Sequence, residues 1–278
     1  MELVNRGLRA LFDLIVLPFR GLPPAVGLTV ISLLVSVAIL VAFARLSDQE
    51  ALDRVKRRIQ AGVYEIRLYK DDLRTIFASQ FAILKHTWTY FKLSMVPMLW
   101  IMLPIVIVVI QLQFQYGYES LEPGDRVLVI AELGEDGAGR VAETQAADVT
   151  LEAPEGIRVE TPAAWSPALG EVAWRVRAEA PGEHELVVRV GDRSYTKSLR
   201  VSGSTVRRSP VRPAGFLGQV VYPAESPLPD GSELEAIRVG YVDADVNLLG
   251  WDMHWIIAFF LLTMIFAFAL AKPLGVKI

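Results

Sequence analysis

An α-helical polytopic membrane protein with an inserted β-rich domain is the fold class the sequence predicts, and three observations predict it. Three long uncharged stretches, residues 26–44, 93–118 and 253–271, are each close to the roughly 20 apolar residues needed to cross a hydrocarbon core. A basic helical stretch separates the first two, and a large acidic, β-rich segment separates the last two. A mean hydropathy of +0.37 with 21% charged residues excludes a bundle embedded almost wholly in lipid. Lipid offers backbone groups no water, so each span is expected to be an α-helix.

Residues 1–25 alternate apolar and polar side chains at helical spacing (Leu3, Leu8, Leu11, Phe12, Ile15, Phe19), the pattern of an amphipathic helix lying in the membrane interface. Pro23-Pro24 ends it, and residues 26–45 form the first predicted span. Ala42-Phe43-Ala44 has the small-x-small look of a signal-peptide cleavage site, but the apolar run is longer than an h-region, so the segment is expected to be retained.

Residues 46–92 must leave and re-enter the membrane on one face. A straight helix of that length would end about 70 Å away, so a helical hairpin, a short antiparallel coiled coil, is expected. Leu52, Val55, Ile59, Val63, Ile66 and Leu73 mark one apolar stripe, and Ile76, Phe77, Phe81 and Leu84 the other. The break is expected near Lys70-Asp71-Asp72, where an aspartate can cap the second helix. Residues 93–118 form the second span.

Past Tyr118 the pattern changes to turns and alternation. Strands are expected at 126–133, 148–151, 172–178, 186–190 and 195–201, with turns at Pro181-Gly182 and Gly191-Asp192. Trp174 and Leu199 are the expected core anchors. Spacing of about ten residues points to an immunoglobulin-like β-sandwich over 119–203, without an inter-sheet disulfide because the chain has no cysteine. Residues 204–252 read as a connector, extended over 202–230 with one further strand at 235–242. Residues 253–278 hold the third span, anchored by Trp251 and Trp255, and a short tail.

Charge orients the chain. Residues 46–92 carry nine Lys/Arg against six Asp/Glu, whereas 119–252 carry thirteen against twenty-three. Short basic loops stay cytoplasmic while long domains translocate with little regard to charge. The hairpin and the C-terminus, with Lys272 and Lys277, are therefore expected in the cytoplasm, and the N-terminus and β domain outside. Arg6, Arg9 and Arg20 run against that rule.

Enzymatic motifs are missing: there is no Walker loop, dinucleotide fingerprint, His-Glu-x-x-His helix or Gly-x-Ser-x-Gly elbow. His86, His184 and His254 lie in three different segments, so no metal site or cofactor is expected, and nothing points to DNA. Ser32 and Ser36 share one helix face, where helix packing and a polar groove explain them equally well.

The order of amphipathic helix, span, basic hairpin and proline-containing span resembles the core of the YidC/Oxa/Alb insertase superfamily. The likeness is nearest to its minimal three-span branch, the archaeal YidC-like proteins and the third subunit of the ER membrane complex. It is carried by Ser47-Asp48-Gln49-Glu50 entering the hairpin, by the run from Phe91 to Ile105 with Pro97 and Pro104, and by the run from Leu270 to Val276. It covers residues 1–117 and 250–278; the β domain has no counterpart in the minimal members.

The resemblance implies an integral plasma (inner) membrane insertase, or insertion chaperone, that eases substrate segments into the bilayer through a partly hydrophilic groove without nucleotide hydrolysis. Implied groove-lining candidates are Thr29, Ser32, Ser36, Arg45, Gln111, His254 and Thr263. Arg57, Arg58 and Lys85 would contact nascent membrane proteins, ribosome or translocon, or anionic headgroups. Bacterial members place an arginine midway along the first span, where this chain has residues 36–38 without one, and Arg45 stands only at the end. Two other functions fit the sequence: a structural or assembly subunit whose β domain docks a partner, and an extracytoplasmic sensor.

Overall fold

The computed structural model describes residues 2–69, 72–134 and 149–276. The chain divides into two compact units, Met1–Leu28 with Val109–Ala258, and Thr29–Val108 with Phe259–Ile278. Among the described residues two helices are long and apolar enough to cross a membrane, α2 (Pro24–Leu46) and α4 (Leu73–Tyr116). The rest comprises α1 (Glu2–Val16), α3 (Gln49–Leu68), a β-sheet region and a shorter apolar helix near the C-terminus.

In the helical unit, α3 begins where Asp48 Oδ1 accepts the Ala51 N–H at 2.8 Å. Helix α4 begins in the same way: Asp72 accepts the Arg74 N–H at 3.0 Å and the Thr75 hydroxyl at 2.6 Å. The expected aspartate cap is therefore Asp72; Lys70 and Asp71 lie outside the described residues. These hydrogen bonds, that of the Thr75 hydroxyl first, hold the Asp72 carboxyl below its ordinary range. Helix α4 then continues for 44 residues, with no break between the hairpin arm and the apolar half. Pro97 and Pro104 sit inside it, each removing one backbone hydrogen bond.

The seam between α3 and α4 differs from the expected one. Of the first expected stripe Leu52 and Val55 are buried but Val63 and Leu73 are exposed, and of the second Phe77, Phe81 and Leu84 are exposed. The contact is made instead by Ser79, whose hydroxyl donates to Glu65 Oε2 at 2.9 Å, and by Ile83, which packs over Gly62. A Cβ on Gly62 would lie 2.7 Å from Ile83 Cγ1, so this approach requires glycine. Small and polar residues let the helices come close, and the bulky side chains are turned outward.

Among the described residues every strand pair of the β region is antiparallel. One sheet has the order β3-β5-β1-β9-β8, built from β3 (Ile157–Val159), β5 (Glu171–Ala178), β1 (Arg126–Leu133), β9 (Leu234–Val239) and β8 (Val211–Pro213). Strand β4 (Ala164–Ser166) also pairs with β5. A second sheet has the order β2-β6-β7, from β2 (Val149–Glu152), β6 (Gly182–Val190) and β7 (Arg193–Val201). Both sheets feed one core, in which Val129 of β1 stands opposite Trp174 of β5, and Leu199 of β7 is wholly buried. Gly191 takes φ +56° in the two-residue turn between β6 and β7, which favours glycine there. Asp148, expected to open β2, lies outside the described residues.

Residues 204–252, expected as a connector, are built into this region. Strand β8 and a short helix α5 (Gly215–Val221) occupy the proline-rich stretch, and β9 lies in the larger sheet between β1 and β8. A hairpin of β10 (Asp245–Leu248) and β11 (Trp251–His254) follows. Met253 and His254, expected in the third span, thus belong to a strand, and α6 (Trp255–Ala271) starts at Trp255 and runs for 17 residues.

Candidate functional site

In the helical unit the outward face of α4 carries a continuous run of exposed apolar side chains. Phe77, Phe81, Leu84, Trp88 and Phe91 are spaced by four, three, four and three residues, which puts them on one side of the helix. All five are exposed; Phe81 retains 72% and Trp88 59% of its accessible surface. The same spacing continues to Met95, Met98 and Met102, of which Met98 and Met102 are exposed. A shallow cavity of about 760 Å³ is lined by Phe81, Leu84, Lys85, Thr87, Trp88 and Phe91. Lys92 Nζ stands 5.7 Å from the Trp88 ring centroid, a cation over an aromatic face. Aromatic and methionine side chains adapt to apolar partners of varied shape, and lysines beside them tolerate acidic groups or anionic headgroups.

The polar residues expected to line a groove are placed differently. Ser32 and Ser36 of α2 are completely buried, and Thr263 of α6 nearly so. Ser36 Oγ lies 2.6 Å from Ser32 O and 3.0 Å from Thr263 O, so its one proton is given to carbonyls at a helix–helix contact. The hydroxyls of Ser32 and Thr263 are buried without a hydrogen-bond partner. Comparison with family models, curated proteins and solved structures finds no match.

The remaining candidates are dispersed. Thr29 is half-buried on α2, and Arg45 is exposed in its last turn, where a cation complements the helix dipole. Arg57, Arg58 and Lys85 are exposed on the hairpin, and Arg57 Nε donates to the Asp53 carbonyl at 3.4 Å. Lys85 joins the α4 face through the shallow cavity. His254 is half-buried at the end of β11, where its Nδ1 accepts the Ile256 N–H at 3.4 Å.

Gln111 belongs to the other unit and is buried; its Oε1 accepts from Arg207 Nη1 at 3.1 Å. Arg207 in turn donates to Asp13 of α1, and Gln115 Nε2 donates to the same Asp13 oxygen at 2.7 Å. Sequence reasoning missed this network because Asp13 and Arg207 each look like an ordinary solvated charge. The α4 face was visible as an apolar period, but a period does not tell whether the stripe is covered.

Proposed function

We propose that this chain is a membrane-insertion factor of the YidC/Oxa/Alb kind. The observation that carries the reading is the exposed aromatic and methionine face of α4, which runs from the hairpin into the apolar half of the same helix. An apolar segment leaving water can lie along Phe81, Leu84 and Trp88 and move towards Met98 and Met102 while staying against apolar surface. Each buried CH₂ contributes roughly 0.8 kcal/mol, so such a path stabilises a hydrophobic segment without nucleotide hydrolysis.

In this reading α2, α4 and α6 are three spans, the hairpin and C-terminus are cytoplasmic, and the β region is an extracytoplasmic immunoglobulin-like sandwich. The lysines and arginines of the hairpin support the orientation. Burial of Ser32, Ser36 and Thr263 puts the hydrophobic face of α4, rather than a serine-lined groove, at the centre of the proposal.

The test is site-specific photocrosslinking from positions 81, 88 and 98 during synthesis of a short-tailed membrane protein. Crosslinks to the emerging apolar segment are expected at all three; absence at all three sinks the reading. The use of the Ser36 hydroxyl in helix packing favours a second reading, an assembly subunit of a membrane complex. Depletion then removes one complex alone, whereas an insertion factor's depletion removes many short-tailed membrane proteins.

A further inference from the structure

The arginines that run against the charge rule are gathered around one cavity. Helix α1 turns its exposed apolar side chains, Val4, Leu11 and Leu14, to one side and Arg6, Arg9 and Asp13 to the other. That second side lines a cavity of about 350 Å³, at the small end of the volumes that hold small ligands. Arg20, Arg200 and Arg207 also line it, so five arginines face the cavity against two carboxylates, Asp13 and Glu183.

The carboxylates are already engaged. Asp13 pairs with Arg207 and Glu183 with Arg200. Among the described residues Arg9 and Arg20 form no ion pair, and the Arg20 Nε–H is buried without a hydrogen-bond partner. Arg9 donates only to the Ala224 carbonyl, at 3.4 Å. Burial, and then the neighbouring Arg6, push the Arg9 guanidinium below its ordinary value, and the carboxylates of Glu2, Glu225 and Asp13 offset this only in part. A half-buried guanidinium without an ion pair is unfavourable, and its donor fork matches a phosphate.

We infer that this cavity binds a phosphate group, held by Arg9 and Arg20 with Arg6 and Arg200 at its edge. The exposed apolar side of α1 points to the source: Val4, Leu11 and Leu14 seat the helix at a bilayer surface, which puts the arginines at the level of the headgroups, so the phosphate is that of an anionic phospholipid. The choice of lipid over a soluble phosphate rests on the membrane reading above; the phosphate chemistry does not.

The test is lipid retention by the full chain, purified in mild detergent from membranes containing phosphatidylglycerol and phosphatidylethanolamine and read by native mass spectrometry. Bound phosphatidylglycerol is expected to fall about tenfold or more in Arg9→Gln/Arg20→Gln, since charge-assisted hydrogen bonds to phosphate are lost. Arg20→Gln alone breaks no side-chain hydrogen bond among the described residues, so it reports on the cavity even where the double variant unfolds. A parallel arm adds glycerol 3-phosphate to delipidated protein and follows thermal stabilisation. Retained lipid assigns the membrane source, and stabilisation by glycerol 3-phosphate without retained lipid assigns a soluble one. Neither signal, or equal signals from wild type and variants, overturns the inference. The readout is bound phosphate and not insertion, so its failure is distinguishable from failure of the insertion reading.

Discussion

Arg207 and Asp13, 194 residues apart in sequence, form an ion pair with Nη2 3.1 Å from Oδ1. The same carboxylate oxygen also receives Arg207 Nε at 3.2 Å and Gln115 Nε2 at 2.7 Å. One oxygen thus joins α1, the end of α4 and the segment before β8. Burial pushes the Arg207 guanidinium down and Asp13 partly offsets this, so the pair is needed by its cation more than by its half-exposed anion. Asp13→Ala is expected to cost about 1–3 kcal/mol by stranding Arg207, with Asp13→Asn recovering part of it. Denaturant midpoints of the detergent-solubilised protein check both values.

A second buried charge lies in the β region. Lys197 occupies an inward position of β7 and is fully buried, and its three protons go to Glu225 Oε2 at 2.6 Å, Ser209 O at 2.7 Å and Ser198 O at 3.1 Å. Lys197→Met is expected to cost about 3–5 kcal/mol because Glu225 is left charged and unpaired, while Lys197→Met with Glu225→Leu restores most of the loss. Equal losses in the single and double variants would refute the pairing argument.

The same pair sets an acid limit. Burial raises the Glu225 carboxyl, but Lys197, the Ser198 N–H and the Ser209 hydroxyl more than offset it, so it lies below its ordinary 4.5. A carboxyl depressed on folding stabilises fully above its unfolded value, and the contribution is lost as pH falls through the folded one. The stability difference between wild type and Glu225→Gln is therefore expected to be constant near neutrality and to shrink below 4.5. A pH series of urea midpoints measures it, and a difference independent of pH would remove Glu225 from the account.

These charges also explain where sequence reading stopped. Strand β1 and the core positions Trp174 and Leu199 were legible because period-two alternation depends only on neighbours along the chain. The Asp72 cap was legible for the same reason, its partners being two and three residues away. Strand β8 was not, because Val211–Pro213 is too short to alternate and exists through pairing with Ala236 to Arg238. The seam of the hairpin was misjudged because bulk marks a face as apolar, not as covered. Gly62, Ser79 and Ile83 decide the approach of the two helices, and only Ile83 is apolar and large.

Ser36 separates a packing role from a groove. Its hydroxyl is enclosed between α2 and α6, where a small residue permits close approach. Ser36→Leu is expected to cost about 1–3 kcal/mol through overpacking, and Ser36→Ala about 0.6 kcal/mol through its lost hydrogen bonds. Thermal unfolding in detergent measures both. If Ser36→Leu leaves the melting temperature unchanged, the contact is open and the groove expectation regains its ground.

The outward face of α4 gives the sharpest separation of fold from function. Phe81 and Trp88 are mostly exposed, so Phe81→Ser/Trp88→Ser removes little packing, and hairpin stability is expected to stay within about 0.5 kcal/mol. Ile83→Ala, taken from the opposite side of the same helix, is expected to lower stability by about 1–2 kcal/mol, less than a full core truncation because Ile83 is only half-buried. The insertion reading then requires opposite ranking in a reconstituted insertion assay. The exposed pair reduces the yield of short-tailed substrate severalfold with its circular dichroism intact, and Ile83→Ala reduces it only as far as it unfolds the hairpin. If insertion follows stability in both variants, the exposed face does not receive substrate, and the assembly reading takes its place.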